Sequence, residues 1–234
     1  MGGLTDAQLE SLSRERLWAL TGEEMRAIRD HFVSAEREPT DVEIEILAQT
    51  WSEHCKHKIF AAEVAYRDLS GCPRGREIPA KISSLFKTTI AATTRELPRP
   101  WLLSVFSDNA GIIAVDDETA VCIKVETHNS PSALDPYGGA LTGIVGVNRD
   151  ILGCGLGARP IFNTNVFCTA EVDYAGEIPD RLMHPRRILD GVRKGVEAGG
   201  NKSGIPTING ALCFDERYLG KPLVYCGTGG VMPR

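Results

Sequence analysis

The run Ala120-Val121-Cys122-Ile123-Lys124-Val125 constrains the fold more than any other part of the chain. It alternates and is rich in β-branched residues, the pattern of a strand with two differently solvated faces. It ends abruptly in Glu126-Thr127-His128-Asn129-Ser130, and Pro131, Pro136 and Gly138-Gly139 follow. Those prolines and glycines stop the strand and open the backbone to close approach. An acid, an imidazole, an amide and hydroxyls delivered together at a strand end mark a site rather than a core. Lys124 and Glu126 share a strand face by the period of two. Residues 137–152 then combine Gly138, Gly139, Ala140, Gly143 and Gly146 with Leu141, Ile144, Val145, Val147 and Ile151. That spacing predicts a helix whose glycines permit close packing, each at a propensity cost of ~1 kcal/mol relative to alanine. Arg149-Asp150 lies near its end among small and apolar neighbours. The pair is either a surface charge pair or, given those neighbours, two charges that need a cleft or an ion.

The rest of the chain supplies the surroundings. Residues 5–20 and 21–35 read as two helices, with Thr5 and Thr21 as N-caps and Glu24 completing a capping box. Thr40-Asp41-Val42-Glu43 opens a third helix to about Lys58, with Ile44, Leu47, Ala48 and Trp51 as its apolar stripe. Counting on by threes and fours places His54 and Cys55 on that stripe. His54 is then either a partnered core histidine or a ligand contact. Lys56, His57 and Lys58 suit the negative end of the helix dipole. Residues 68–80 read as a surface loop and 83–96 as a helix. Strands follow at 102–106 and 112–115, then the central strand, then a strand at 160–170, a helix at 184–199, and strands at 205–213 and 222–231. This order predicts an α/β (α+β) fold: a mixed β-sheet with helices on one face, preceded by a helical N-terminal extension. The domain division is 1–58 for the extension and 59–234 for the sheet domain.

Other classes are excluded. A net charge of −5 with interspersed signs gives no footprint for nucleic acid, and no apolar run reaches the length that spans a membrane. The seven cysteines are an odd number without a C-x-x-C pair, which argues against a disulfide framework or zinc ribbon and for a reducing, cytoplasmic setting. His54 and His57 lack the H-E-x-x-H pattern of zinc, Gly153–Gly157 is not a dinucleotide fingerprint, and Gly200-Asn201-Lys202-Ser203 is not a P-loop. What remains is Glu126 and Asp150 as hard oxygen donors for Mg²⁺, Lys124 for a polyphosphate and His128 as a base near neutral pH. These residues fit Mg-nucleotide chemistry; a divalent-metal hydrolase fits them too.

The longer motifs are more specific. Pro39-Thr40-Asp41-Val42-Glu43 with Trp51-Ser52-Glu53-His54-Cys55 resembles the helix signature of the phosphoribosylformylglycinamidine synthase family. Lys124–Ser132, Pro136-Tyr137-Gly138-Gly139 and Arg149-Asp150 resemble its nucleotide and metal motif; Pro206–Gly210 and Phe214-Asp215-Glu216 resemble a later strand–turn segment. The resemblance runs from about residue 21 to the end. It implies an aminoimidazole-ribonucleotide (AIR)-synthetase-like N-terminal domain, with the C-terminal domain absent. It implies ATP-dependent conversion of formylglycinamide ribonucleotide to its amidine, through an iminophosphate displaced by ammonia from a glutaminase subunit or domain. ATP and Mg²⁺ are the implied cofactors. Carried over position by position, it makes His54 and His128 catalytic, with His128 the proton acceptor. His57 and Lys124 become ATP contacts, Glu126 and Asp150 metal ligands, and Thr127, His128, Asn129, Ser130 and Arg149 substrate contacts. The chain departs from the family pattern at Ser130, commonly His there, and at His57, often Tyr. The resemblance also implies sheet-to-sheet pairing in a homodimer. A related synthetase of the same fold, or a fragment that only dimerises or binds a partner, are the alternatives.

Overall fold

The structure, a computed structural model, describes residues 1–67 and 81–234; the loop expected at 68–80 lies outside the described residues. The chain divides into two compact units, Met1–Leu97 and Pro98–Arg234. That division falls later in the chain than the sequence division after residue 58.

In the first unit, α1 (Asp6–Glu15), α2 (Gly22–Ser34) and α3 (Asp41–Thr50) each begin at a threonine cap with a reciprocal capping box, at Thr5/Gln8, Thr21/Glu24 and Thr40/Glu43. Each box satisfies two backbone donors that the first helical turn leaves without partners. Leu9, Trp18, Leu20, Met25, Ile28, Phe32, Ile44 and Ala48 form the core of this unit. The first helix stops at Glu15 rather than residue 20, because Leu17 (φ 59°) and Ala19 (φ 54°) take left-handed conformations that a helix cannot continue. The third helix also stops early. Ser52 begins a new cap, so α4 (Glu53–Lys56) and α5 (Lys58–Ala61) follow as short separate turns joined at His57. The helical count from Leu47 therefore does not carry through, and Cys55 is exposed rather than on a buried stripe. A short antiparallel pair, β1 (Glu63–Ala65) and β2 (Lys81–Ser83), was not legible from its sequence. The predicted helix at 83–96 is a π-helical stretch, Phe86–Ala91, running into α6 (Ala92–Glu96).

The second unit is a six-stranded mixed sheet. Its strands are β3 (Leu102–Ser104), β4 (Gly111–Ala114), β5 (Thr119–Thr127), β6 (Arg159–Thr169), β7 (Thr207–Phe214) and β8 (Leu223–Pro233). The order is β3-β4-β5-β8-β6-β7, with β6 and β7 parallel and all other neighbours antiparallel. The parallel pair needs a crossover, which α9 (Pro185–Ser203) provides. Between β5 and β6 come α7 (Asn129–Leu134), a short helix that the strand-stopping residues did not announce, and α8 (Pro136–Leu152). Ala140, Ile144 and Val147 of α8 pack with Ile188, Val192 and Val196 of α9 over Val224 and Cys226 of β8. Along β5, Ala120 and Cys122 are buried on this helix side, while Ile123 and Val125 on the opposite side are 51% and 38% exposed. The sheet is thus covered by helices on one face, as the order of the elements predicted.

Candidate active site

Strand β5 delivers the site because its ladder with β8 runs without interruption from Thr119 opposite Pro233 to Thr127 opposite Tyr225. Lys124 and Glu126, two residues apart, emerge on the helix side at its open end. The Lys124 ammonium lies 3.1 Å from Glu126 Oε1 and 3.4 Å from Asp150 Oδ2. Asp150 comes from the last turn of α8, so β5 and α8 bring two carboxylates onto one cation. Burial alone would lower the Lys124 pKa; its hydrogen bond to Glu126 and the charges of Asp150 and Glu126 outweigh this and raise it above the usual lysine value. Lys124 therefore stays cationic at neutral pH. The Lys124 and Asp150 side chains are 28% and 22% exposed and Glu126 is 47% exposed, so the trio is partly desolvated but open to a ligand.

His128 follows directly. Its backbone N–H donates to Val224 O at 2.8 Å, which pins the strand end, and it then caps α7. Its Nδ1 is buried and has no hydrogen-bond partner among the described residues, an unusual state for a buried ring nitrogen. The ring lies over Gly143 of α8, where a Cβ would meet His128 Cβ and Cγ at 3.3 Å. Asn129 uses its Oδ1 to accept from Val224 N at 2.8 Å, so its amide oxygen holds the β8 backbone. Thr127, Ser130 and Arg149 are exposed. Lys124, Glu126 and Asp150 are thus brought into contact; Arg149, next to Asp150 in sequence, is not part of that trio.

Two predicted residues belong to the first unit. His54 lies within α4, and its side chain is outside the described residues. His57 takes a left-handed conformation, φ 52° and ψ 48°, between α4 and α5. Only a few per cent of non-glycine residues do so. It lines a cavity of about 510 Å³ with Phe60, Ala61, Ser84, Phe86, Lys87 and Ile90. Ser84 is also left-handed, at φ 55°. Strained backbone of this kind clusters at ligand sites.

The carboxylate pair fits a divalent cation. Two hard oxygen donors already converge on one positive charge, the ammonium of Lys124, and Mg²⁺ commonly uses one or two carboxylates and completes its shell with water and substrate phosphates. Among the described residues no group of three or more His, Cys, Asp or Glu side chains is placed to hold a metal ion.

Sequence reasoning passed over Asn148, Asn163 and Thr228, which form a buried hydrogen-bonded cluster beside the trio. The available signal was Asn148 directly after the apolar and small run Ile144-Val145-Gly146-Val147 of α8, and the polar run Asn163-Thr164-Asn165 inside β6.

Residues 9–58 match the formylglycinamide ribonucleotide amidotransferase linker domain, and residues 107–232 match the N-terminal domain of AIR synthase related proteins. Phosphoribosylformylglycinamidine synthase subunit PurL of Thermoplasma volcanium is 34% identical over 229 residues, covering 98% of this chain and 26% of that protein. The Thermoplasma acidophilum subunit is 35% identical over the same length and the same shares. Among solved structures, T. maritima PurL complexed with FGAR superposes with a TM-score of 0.57 at 28% identity, over 90% of this chain and 26% of that one. T. maritima PurL complexed with ATP gives 0.55 at 28% identity, over 90% and 27%. The chain spans about a quarter of the length of these relatives. Because the N-terminal domain of AIR synthase related proteins accounts for more than half of it, the chain belongs to that family.

Proposed function

We propose that this chain carries the nucleotide-phosphate and metal half-site of a phosphoribosylformylglycinamidine synthase, which makes an amidine from formylglycinamide ribonucleotide, ATP and glutamine-derived ammonia. The observation that carries the reading is the convergence of Glu126 from β5 and Asp150 from α8 on Lys124. The similarity to PurL proteins, and to PurL structures complexed with ATP and with FGAR, supports it.

In this reading Lys124 meets the nucleotide phosphates as a compact point charge. Glu126 and Asp150 hold Mg²⁺, which when bound neutralises charge on the transferred phosphoryl group. His128 accepts a proton at its unpartnered Nδ1. Thr127, Asn129, Ser130 and Arg149 contact the ribonucleotide. His54 and His57 serve the same reaction from the linker, His57 at the nucleotide. We divide the chain into a linker of 1–58 and a synthetase domain of 59–234, a reading that the linker family match over residues 9–58 supports. A glutaminase partner supplies ammonia, and the setting is cytoplasmic; among the described residues no helix is long and apolar enough to cross a membrane. The exposed apolar side chains Ile113, Ile123, Val125 and Ile161 on the open sheet face favour a second copy paired through that face.

The test is calorimetric titration of the 234-residue chain with a non-hydrolysable ATP analogue, with and without Mg²⁺. Metal-dependent binding that Glu126→Ala and Asp150→Ala each abolish, with unfolding unchanged, is the expected result. Wild-type affinity in either variant refutes the metal assignment.

A further inference from the structure

Two residues before Asp150, α8 sends a second polar side chain toward the sheet. Asn148 is 4% exposed, and its Oδ1 accepts from Asn163 Nδ2 and from Thr228 Oγ1, both at 2.8 Å. Asn163 Nδ2 also donates to Thr228 Oγ1 at 2.6 Å. Asn148 Nδ2 donates to Ser203 Oγ at 3.2 Å, and Ser203 in turn donates to Gly199 O at 2.7 Å. The cluster therefore ties α8 to β6, β8 and α9 at one level. Thr228 is the register partner of Asn163 on one side and of Lys124 on the other. The cluster thus stands one strand away from the site lysine, on the same face of the sheet.

Stability alone does not account for it. Asn163 and Thr228 are fully buried. Asn163 Oδ1 is buried without a partner among the described residues, a desolvation cost that apolar side chains of similar volume would not carry. What directional bonds add is a fixed rotation of the helix. A helix with side chains reaches about 6 Å from its axis, so a rotation of about 20° moves a side-chain end by about 2 Å. That equals a whole Mg–oxygen distance, and Mg²⁺ tolerates little departure from octahedral geometry. Apolar packing along the α8–α9 seam fixes separation more firmly than rotation.

We propose that Asn148, Asn163 and Thr228 are positioning residues: they set the rotation of α8 and so hold the Asp150 carboxylate against Lys124, at the geometry a divalent cation shared with Glu126 needs. The metal part of this inference rests on the reading given above; the setting of α8 does not.

Zero-length cross-linking of the 234-residue chain separates the two. A water-soluble carbodiimide activates a carboxylate, a lysine amine in contact displaces the resulting urea, and an amide forms with net loss of water. Lys124–Asp150 and Lys124–Glu126 products are quantified by peptide mass spectrometry. Glu126 lies on the same strand as Lys124, so its product is an internal standard that helix rotation does not move. Thr228→Val removes the hydroxyl and keeps the shape; Thr228→Ser does the reverse. The expected result is a fall of about tenfold in the Asp150-to-Glu126 product ratio in Thr228→Val, the fold-change of about one buried hydrogen bond, and the wild-type ratio in Thr228→Ser. An unchanged ratio in Thr228→Val, or an equal fall in Thr228→Ser, overturns the proposal, because packing and not hydrogen bonding would then set the helix. Mn²⁺ binding with the ATP analogue, followed by electron paramagnetic resonance, is expected to weaken in Thr228→Val and in Glu126→Ala. If the ratio falls while Glu126→Ala still binds Mn²⁺ like the wild type, the metal reading fails and the setting of α8 stands.

Discussion

Gly139 and Gly146 lie in the same helix, and replacing each with alanine is expected to change stability in opposite directions. Around Gly146 a Cβ meets nothing within 4 Å. Gly146→Ala therefore gains helix propensity at no steric cost, about 1 kcal/mol. At Gly139 a Cβ comes within 2.5 Å of Pro131 C and 2.7 Å of Ser132 Cα, and closer still to Ser132 N. These are backbone atoms of α7, so no side chain can swing aside. The shortfall from an ordinary contact of 3.4 Å is about 1 Å. Forcing that much volume into a packed seam costs about 1–3 kcal/mol. Set against the same propensity gain, Gly139→Ala is destabilising by up to about 2 kcal/mol. The two variants should differ by about 1–3 kcal/mol in urea unfolding followed by far-ultraviolet circular dichroism, fitted with the two units as separate transitions. Because α7 begins at the site residues His128 and Asn129, Gly139→Ala should also weaken binding of the ATP analogue, while Gly146→Ala should not. Equal stabilisation in both variants would refute the reasoning, since α7 would then be free to move away.

Further outcomes follow from the first unit. Arg37 and the Thr40 cap hold the Glu43 carboxyl down to about 2, and in Glu24 the Lys58 and Thr21 hydrogen bonds outweigh the opposing effect of burial and lower its pKa as well. A depressed folded pKa contributes stability that is fully present above the unfolded value of 4.5 and is lost as pH falls through the folded value. Acid titration by circular dichroism should show this unit's helicity falling between pH 4.5 and about 2; a loss complete above pH 5 contradicts that assignment. Ser13 Oγ donates to Leu20 O at 2.9 Å and accepts from Leu20 N at 3.1 Å, clamping the turn that contains left-handed Leu17 and Ala19. Ser13→Ala leaves both buried backbone groups unpaired and should cost about 2 kcal/mol in urea unfolding; a change under about 0.5 kcal/mol, the ordinary surface value, would show that the turn holds without the clamp.

The local chemistry of this chain determined a good deal by itself. A threonine cap three residues before Gln or Glu is a complete helix signal, since both partners of the box lie within one turn, and all three such starts fall at their predicted positions. The alternation through Lys124 and Glu126 fixed their common face because side chains in a strand alternate regardless of what surrounds it. Stops were less legible. The end of α1 depends on Leu17 and Ala19, and the break between α4 and α5 on His57, adopting left-handed conformations that no residue type there announces. Asp150 illustrates the division most clearly. Its neighbours in the sequence marked it as a charge in need of a partner, but which partner depended on where α8 crosses β5. That crossing is set by glycines whose missing Cβ atoms admit a neighbouring backbone, Gly139 of α8 that of α7 and Gly191 and Gly195 of α9 that of α8, and by a polar cluster drawn from α8, β6, β8 and α9. Contacts among segments so far apart in the chain leave no local pattern, so the tertiary structure alone brought Asp150 to Lys124.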